Sequence, residues 1–133
     1  MSPEQRSECE RLRNLPSAEA AEYIVRMSSS DEGTIDYVSI IPHISWGREE
    51  QFRLGRHFLH DIPHASDRAY RALISIMPAH RLATIISGML PRKIKDISLL
   101  GYYLKPILID ACTTQKDRKT VMALLREIET IGE

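Results

Sequence analysis

Three observations predict an all-α fold for this chain of 133 residues. Apolar residues recur at helical spacing along almost its whole length. Prolines and small hydroxyl residues fall between the periodic stretches, where helices begin and end. Only one segment has strand-like composition, and a lone strand has nothing to pair with. The expectation is seven or eight short antiparallel helices in a single all-α domain over residues 1–133, arranged as a stack of helical hairpins or as an irregular bundle.

Each element has its own justification. Residues 3–14 open with Pro3, which suits a first turn, and close at Leu15-Pro16. Ser17 is then a cap for a second helix over 18–28, with Ala20, Ala21, Ile24, Val25 and Met27 as its apolar face. Residues 28–33 have loop composition. Residues 34–41 carry β-branched side chains, yet Ile35, Tyr37, Val38 and Ile41 also form a helical stripe, so helix is preferred.

The most sharply defined segment is 46–61, with Ser45 as its expected cap. At 100° per residue, Phe52, Leu54, Gly55, Phe58, Leu59 and Ile62 gather on one side. Glu49, Arg53, Arg56, His57 and His60 gather on the other, with Glu49 four residues before Arg53 for an ion pair. Pro63 forces the chain out of helical geometry. Ser66 opens the next helix, with Asp67 in its first turn and Ala69, Tyr70, Leu73, Ile74 and Met77 as its buried set. Pro78 fits the first position of another, running to Leu90 through Leu82, Ala83, Ile85, Ile86 and Met89. Asp96 leads a strongly apolar helix to Ala111, and Pro106 inside it is expected to kink it. Thr114 and Asp117 form a capping box with a short acid, opening a last helix through Val121, Leu124, Leu125 and Ile128.

Consecutive helices of this size resemble, in outline, the helix pairs of HEAT-type and other α-solenoid proteins. No residue-level consensus repeats at the periods of those families, so the resemblance is one of architecture.

The formal net charge is zero, yet the charges are segregated. The first 36 residues hold eight acidic groups against four basic ones. Residues 37–95 hold nine of the eighteen Lys and Arg and all five histidines, against four acids. Such segregation governs which partners approach, not which fold forms. An apolar fraction of 43% fits a soluble globular chain, with no run long enough for a membrane span. The N-terminus lacks the apolar core of a signal peptide, and two scattered cysteines, Cys9 and Cys112, suit a reducing compartment. Cytoplasmic residence is expected.

Motifs for chemistry are sparse. His57, His60, Asp61 and His64 lie close in sequence, but Pro63 breaks the helix before the four groups converge, and Arg53 and Arg56 on the same face disfavour a cation. No metal site and no cofactor is expected. Asp61 and Asp67 are explained as helix-terminal carboxylates rather than an acid/base pair. Neither cysteine carries a nucleophile signature, and Cys112 reads as a packed core thiol. No phosphate-binding glycine loop or nucleophile elbow occurs.

The expectation that remains is a non-enzymatic protein that binds another protein, most concretely a bacterial immunity or antitoxin protein occluding a toxin domain. Its expected contact residues are Trp46, taken as an exposed anchor, with Arg53, Arg56, His57 and His60 facing an acidic partner. The alternative is a nucleic-acid binder using the basic segment 37–95, and a metal- or histidine-dependent enzyme ranks last.

Overall fold

Helix ends in this chain are set by short-range chemistry. In the computed structural model, which describes residues 1–29, 35–60, 62 and 66–132, Ser2 caps α1 (Pro3–Arg13). Its hydroxyl accepts from the Gln5 N–H at 3.2 Å, and the Gln5 side chain accepts from the Ser2 N–H at 3.0 Å. α2 (Ser17–Ser28) follows the extended residue Pro16, so Ser17 is the first helical residue rather than the cap. A short α3 (Tyr37–Ile40) runs into a 3₁₀ turn, Ile41–His43, which resolves the helix-or-strand ambiguity of that segment in favour of helix.

α4 (Arg48–Phe58) starts two residues later than its periodicity suggests, with Gly47 rather than Ser45 as the residue before it. α5 (Arg68–Ile74) is preceded by Asp67 and α6 (Ala79–Ser87) by Pro78, each one position outside the helix it introduces. α7 (Ile94–Ala111) runs unbroken across Pro106. The proline removes the N–H that would reach the Tyr102 carbonyl. Both residues are exposed, so water can satisfy that oxygen. α8 (Gln115–Ile131) opens with the Thr114–Asp117 capping box. Among the described residues there are eight α-helices, one 3₁₀ turn and no strand. Pro63 and the 30–34 segment lie outside the described residues.

The helices pack in two interleaved series. α2 lies against α4, α4 against α6, and α6 against α8. On the other side α3 and its 3₁₀ turn lie against α5, and α5 against α7. α1 joins this second series through side chains: Arg13 donates to the His43 carbonyl, and the Tyr37 hydroxyl donates to Glu8. Successive helices such as α6 with α7 and α7 with α8 then tie the layers together. Contact between every second helix is the signature of stacked hairpins, so the α-solenoid-like arrangement describes this chain better than an irregular bundle.

In the even-numbered series, helix starts meet helix starts. The Gly47 N–H reaches Ser17, joining the starts of α2 and α4, and the His80 N–H reaches Asp117, joining the starts of α6 and α8.

Between the layers, buried side chains form one cluster from Cys9 and Leu12 to Leu125 and Ile128. Tyr70, Leu73, Leu82, Ile86, Leu100 and Leu104 sit at its centre without exposure. Each such side chain contributes about 1.5–3 kcal/mol by leaving water. α4 approaches α6 closely at Gly55, where an added Cβ would lie 2.8 Å from the Ile85 Cδ1 atom. Any larger residue at 55 would have to push the Ile85 Cδ1 atom aside.

Candidate partner-binding face

The outer face of the even-numbered layer is built on α4. Leu54, Gly55 and Leu59 are buried, Phe52 and Phe58 are half-buried, and Glu49, Arg53, Arg56 and His60 project to solvent. The polar side anticipated from periodicity is therefore real for Arg53, Arg56 and His60. No ion pair joins Glu49 to Arg53 among the described residues, contrary to expectation.

Two residues expected on this face belong elsewhere. Trp46 is 7% exposed, and its indole Nε1–H donates to the Ile41 carbonyl at 3.0 Å. It precedes α4 rather than starting it, so a helical projection does not locate its side chain. The correction is that Trp46 anchors the α3–α4 connection to the core. His57 is half-buried and turns toward α2, its Nε2 2.7 Å from the Ser28 hydroxyl. Its ring stacks on His60, whose Nδ1 lies 2.6 Å from the His57 carbonyl. These imidazoles join the end of α4 to α2 and close its last turn. Asp61 and His64, the other members of the proposed histidine cluster, lie outside the described residues.

Three arginines have carboxylate partners among the described residues. Arg11 pairs with Glu8, Arg68 with Asp36, and Arg71 with Asp67 at 2.5 Å; Asp67, just before α5, makes no side-chain cap hydrogen bond. Arg48, Arg53, Arg56 and Arg81, on α4 and α6, have no carboxylate partner among the described residues. Arg81 donates to the Gln51 side-chain oxygen at 2.5 Å, crossing from α6 to α4. The Arg56 and Arg81 guanidiniums lie 5.4 and 6.0 Å from the centre of the Phe52 ring. His80 sits nearby in a positive field. Its pKa is lowered by burial first and then by Lys116, with Arg81 and Arg48 adding and Asp117 opposing. Basic groups from α4, α6 and α8 therefore meet on one face.

The partner-contact set expected from the sequence left out Arg81, His80 and Lys116, although the basic segment 37–95 contains the first two. They are far from α4 in the chain, and only the α4–α6–α8 series brings them beside it. Between α4 and α6 runs a groove of about 300 Å³ lined by Phe52, Arg56, Thr84, Ile85, Gly88 and Met89. On the opposite layer Tyr102 is 74% exposed while its neighbour Tyr103 is half-buried against the core.

Asp117 is a second residue whose role was only half legible. It is 2% exposed. One carboxylate oxygen accepts from the N–H of Thr113 and of Thr114, at 3.1 and 3.3 Å. The other accepts from the His80 N–H at 3.0 Å. Burial alone would raise its pKa, but these hydrogen bonds outweigh burial and hold it below the ordinary value of 3.8.

The thiols offer little chemistry. Cys9 is 2% exposed and Cys112 is half-buried rather than fully packed, donating to the Leu108 carbonyl at 3.2 Å. Burial, with Asp117 nearby, pushes the Cys112 thiol above its ordinary value, away from the reactive thiolate. Among the described residues no group of three or more His, Cys, Asp or Glu is placed to hold a metal ion, and no helix is long and apolar enough to cross a membrane. No family model, curated protein or solved structure matches the chain.

Proposed function

We propose that this chain acts by binding another protein through the outer face of α4 and α6, recognising an acidic surface. The observation that carries the reading is the gathering of guanidiniums from α4 and α6 around the half-buried Phe52 ring. Arg48, Arg53, Arg56 and Arg81 have no carboxylate partner among the described residues, and Arg56 and Arg81 both lie against the Phe52 ring. Unpaired arginine beside partly exposed aromatic surface is the composition of interface anchors. Phe52 flanked by Arg56 and Arg81 has that composition. Charge of this kind steers encounter and selects partners more than it adds raw affinity.

The most concrete partner is a toxin domain, with this chain serving as a bacterial immunity or antitoxin protein that occludes it in the cytoplasm. Support comes from the small helical scaffold, the free thiols Cys9 and Cys112, and the lack of a recognisable catalytic motif in the sequence.

The test is affinity capture of the tagged chain from its own host, with and without nuclease, alongside R53E/R56E. A stoichiometric, nuclease-resistant protein that the double reversal releases supports the reading, and a toxin domain among such proteins supports the specialisation. Retention by the reversed variant refutes this placement of the interface. Capture that vanishes with nuclease transfers the same basic groups to nucleic acid, whose binding falls steeply with salt.

A further inference from the structure

The groove between α4 and α6 has features that a merely charged surface lacks. Its floor is apolar, formed by Phe52, Ile85 and Met89, and it measures about 300 Å³. Gly88 lines it. An added Cβ there would meet nothing closer than the Ile85 carbonyl oxygen at 3.6 Å, and the backbone φ of −80° suits any L-residue. Glycine at 88 is thus required neither by sterics nor by backbone conformation. What it leaves is space beside an apolar floor in a groove that Arg56 also lines.

We propose that this groove is a docking subsite for an acidic segment of a partner protein, seating one leucine-sized apolar side chain between flanking carboxylates. The inference rests on the reading of the α4–α6 face as the partner surface and adds the chemistry of its occupant. Charge complementarity identifies that occupant. Arg56 lines the groove, Arg81 lies 6.0 Å from the centre of the Phe52 ring, and Arg53 follows Phe52 in α4, all without a carboxylate partner among the described residues. A segment with acids on both sides of its apolar residue satisfies both guanidiniums while the side chain leaves water. A nucleic-acid strand satisfies the arginines but has no aliphatic group for Ile85 and Met89.

The experiment is amide chemical-shift titration of the full chain with three probes. These are a capped heptapeptide with a central leucine flanked by aspartates and glutamates, the same peptide with serine at the centre, and a single-stranded oligonucleotide of equal charge. Wild type is expected to bind the leucine peptide about tenfold or more tightly than the serine peptide, as burial of one such side chain requires. Shifts should centre on Phe52, Ile85 and Met89. Gly88→Leu, which fills the groove and leaves every charge in place, is expected to abolish that preference without weakening the serine peptide.

Equal affinity of the two peptides for wild type overturns the groove proposal while leaving the basic face standing, and that comparison needs no variant to fold. Binding of the oligonucleotide alone, or no shifts on this face at millimolar peptide, overturns the groove and the protein-binding reading together. R53E/R56E separates the two ideas further, because it should weaken both peptides alike.

Discussion

Replacing Asp117 tests whether one buried carboxylate ties two helix starts together. Its two oxygens serve different elements: one holds the His80 N–H of α6, the other the N–H groups of Thr113 and Thr114 before α8. Hydrogen bonds to a charged acceptor contribute about 1.5–3 kcal/mol each. Thr113 and Thr114 are exposed, so their N–H groups can turn to water in the variant. Their share is therefore that of a lost helix cap, about 1 kcal/mol. The His80 N–H is half-buried and its bond counts nearly in full. Asp117→Ala should then cost roughly 3 kcal/mol and lower Tm by about 10 °C. Asp117→Asn should cost roughly 2 kcal/mol, because an amide offers one acceptor oxygen and must face the other donors with its NH₂ group.

The pH dependence has a definite sign. Asp117 is held below 3.8 in the folded chain, so its contribution is whole above the unfolded value and is lost as pH falls through the folded one. The alanine variant has no such contribution to lose. Urea unfolding of both proteins should show a gap that is constant near neutrality and narrows below about pH 4. A gap under about 0.5 kcal/mol at neutral pH, the range of ordinary surface substitutions, would refute the reasoning. So would a gap that persists unchanged in acid.

Other consequences follow from packing and charge. Gly55→Ala places a methyl group against Ile85 Cδ1 and should destabilise by about 1 kcal/mol despite the better helix propensity of alanine. Adding Ile85→Val removes that atom, so a double-mutant cycle should show favourable coupling, and strict additivity would count against the close contact. The single tryptophan, Trp46, should emit at short wavelength and resist iodide quenching until the protein unfolds. Emission typical of water in the native state would contradict its burial. His80 should titrate below the ordinary histidine value of 6.5, seen as the midpoint of its ring-proton shifts, and a midpoint above 6.5 would contradict the positive field around it. R53E/R56E should leave urea stability within about 0.5 kcal/mol, since neither guanidinium has a carboxylate partner among the described residues.

What the sequence by itself determined was set by interactions a few residues long. Ser2 with Gln5, and Thr114 with Asp117, mark helix starts because the capping groups lie three positions apart. The apolar stripes of α4, α6 and α8 were legible because the helical period fixes which side chains share a face. Arg53, Arg56 and His60 were placed on the solvent side of α4 by the same rule.

Only the tertiary structure decided matters that depend on what packs beside each element. The residues before Arg48 leave the helix, so no projection along α4 reveals that Trp46 turns into the core. His57 borders the polar face on a helical wheel, yet α2 lies against that edge and engages it. The stacking of every second helix joins Arg81, His80 and Lys116 to the α4 arginines, across separations that local periodicity does not see. Local rules fix faces and ends because their energies arise within a turn or two of helix. The neighbour each face meets is fixed by burial summed over the whole chain.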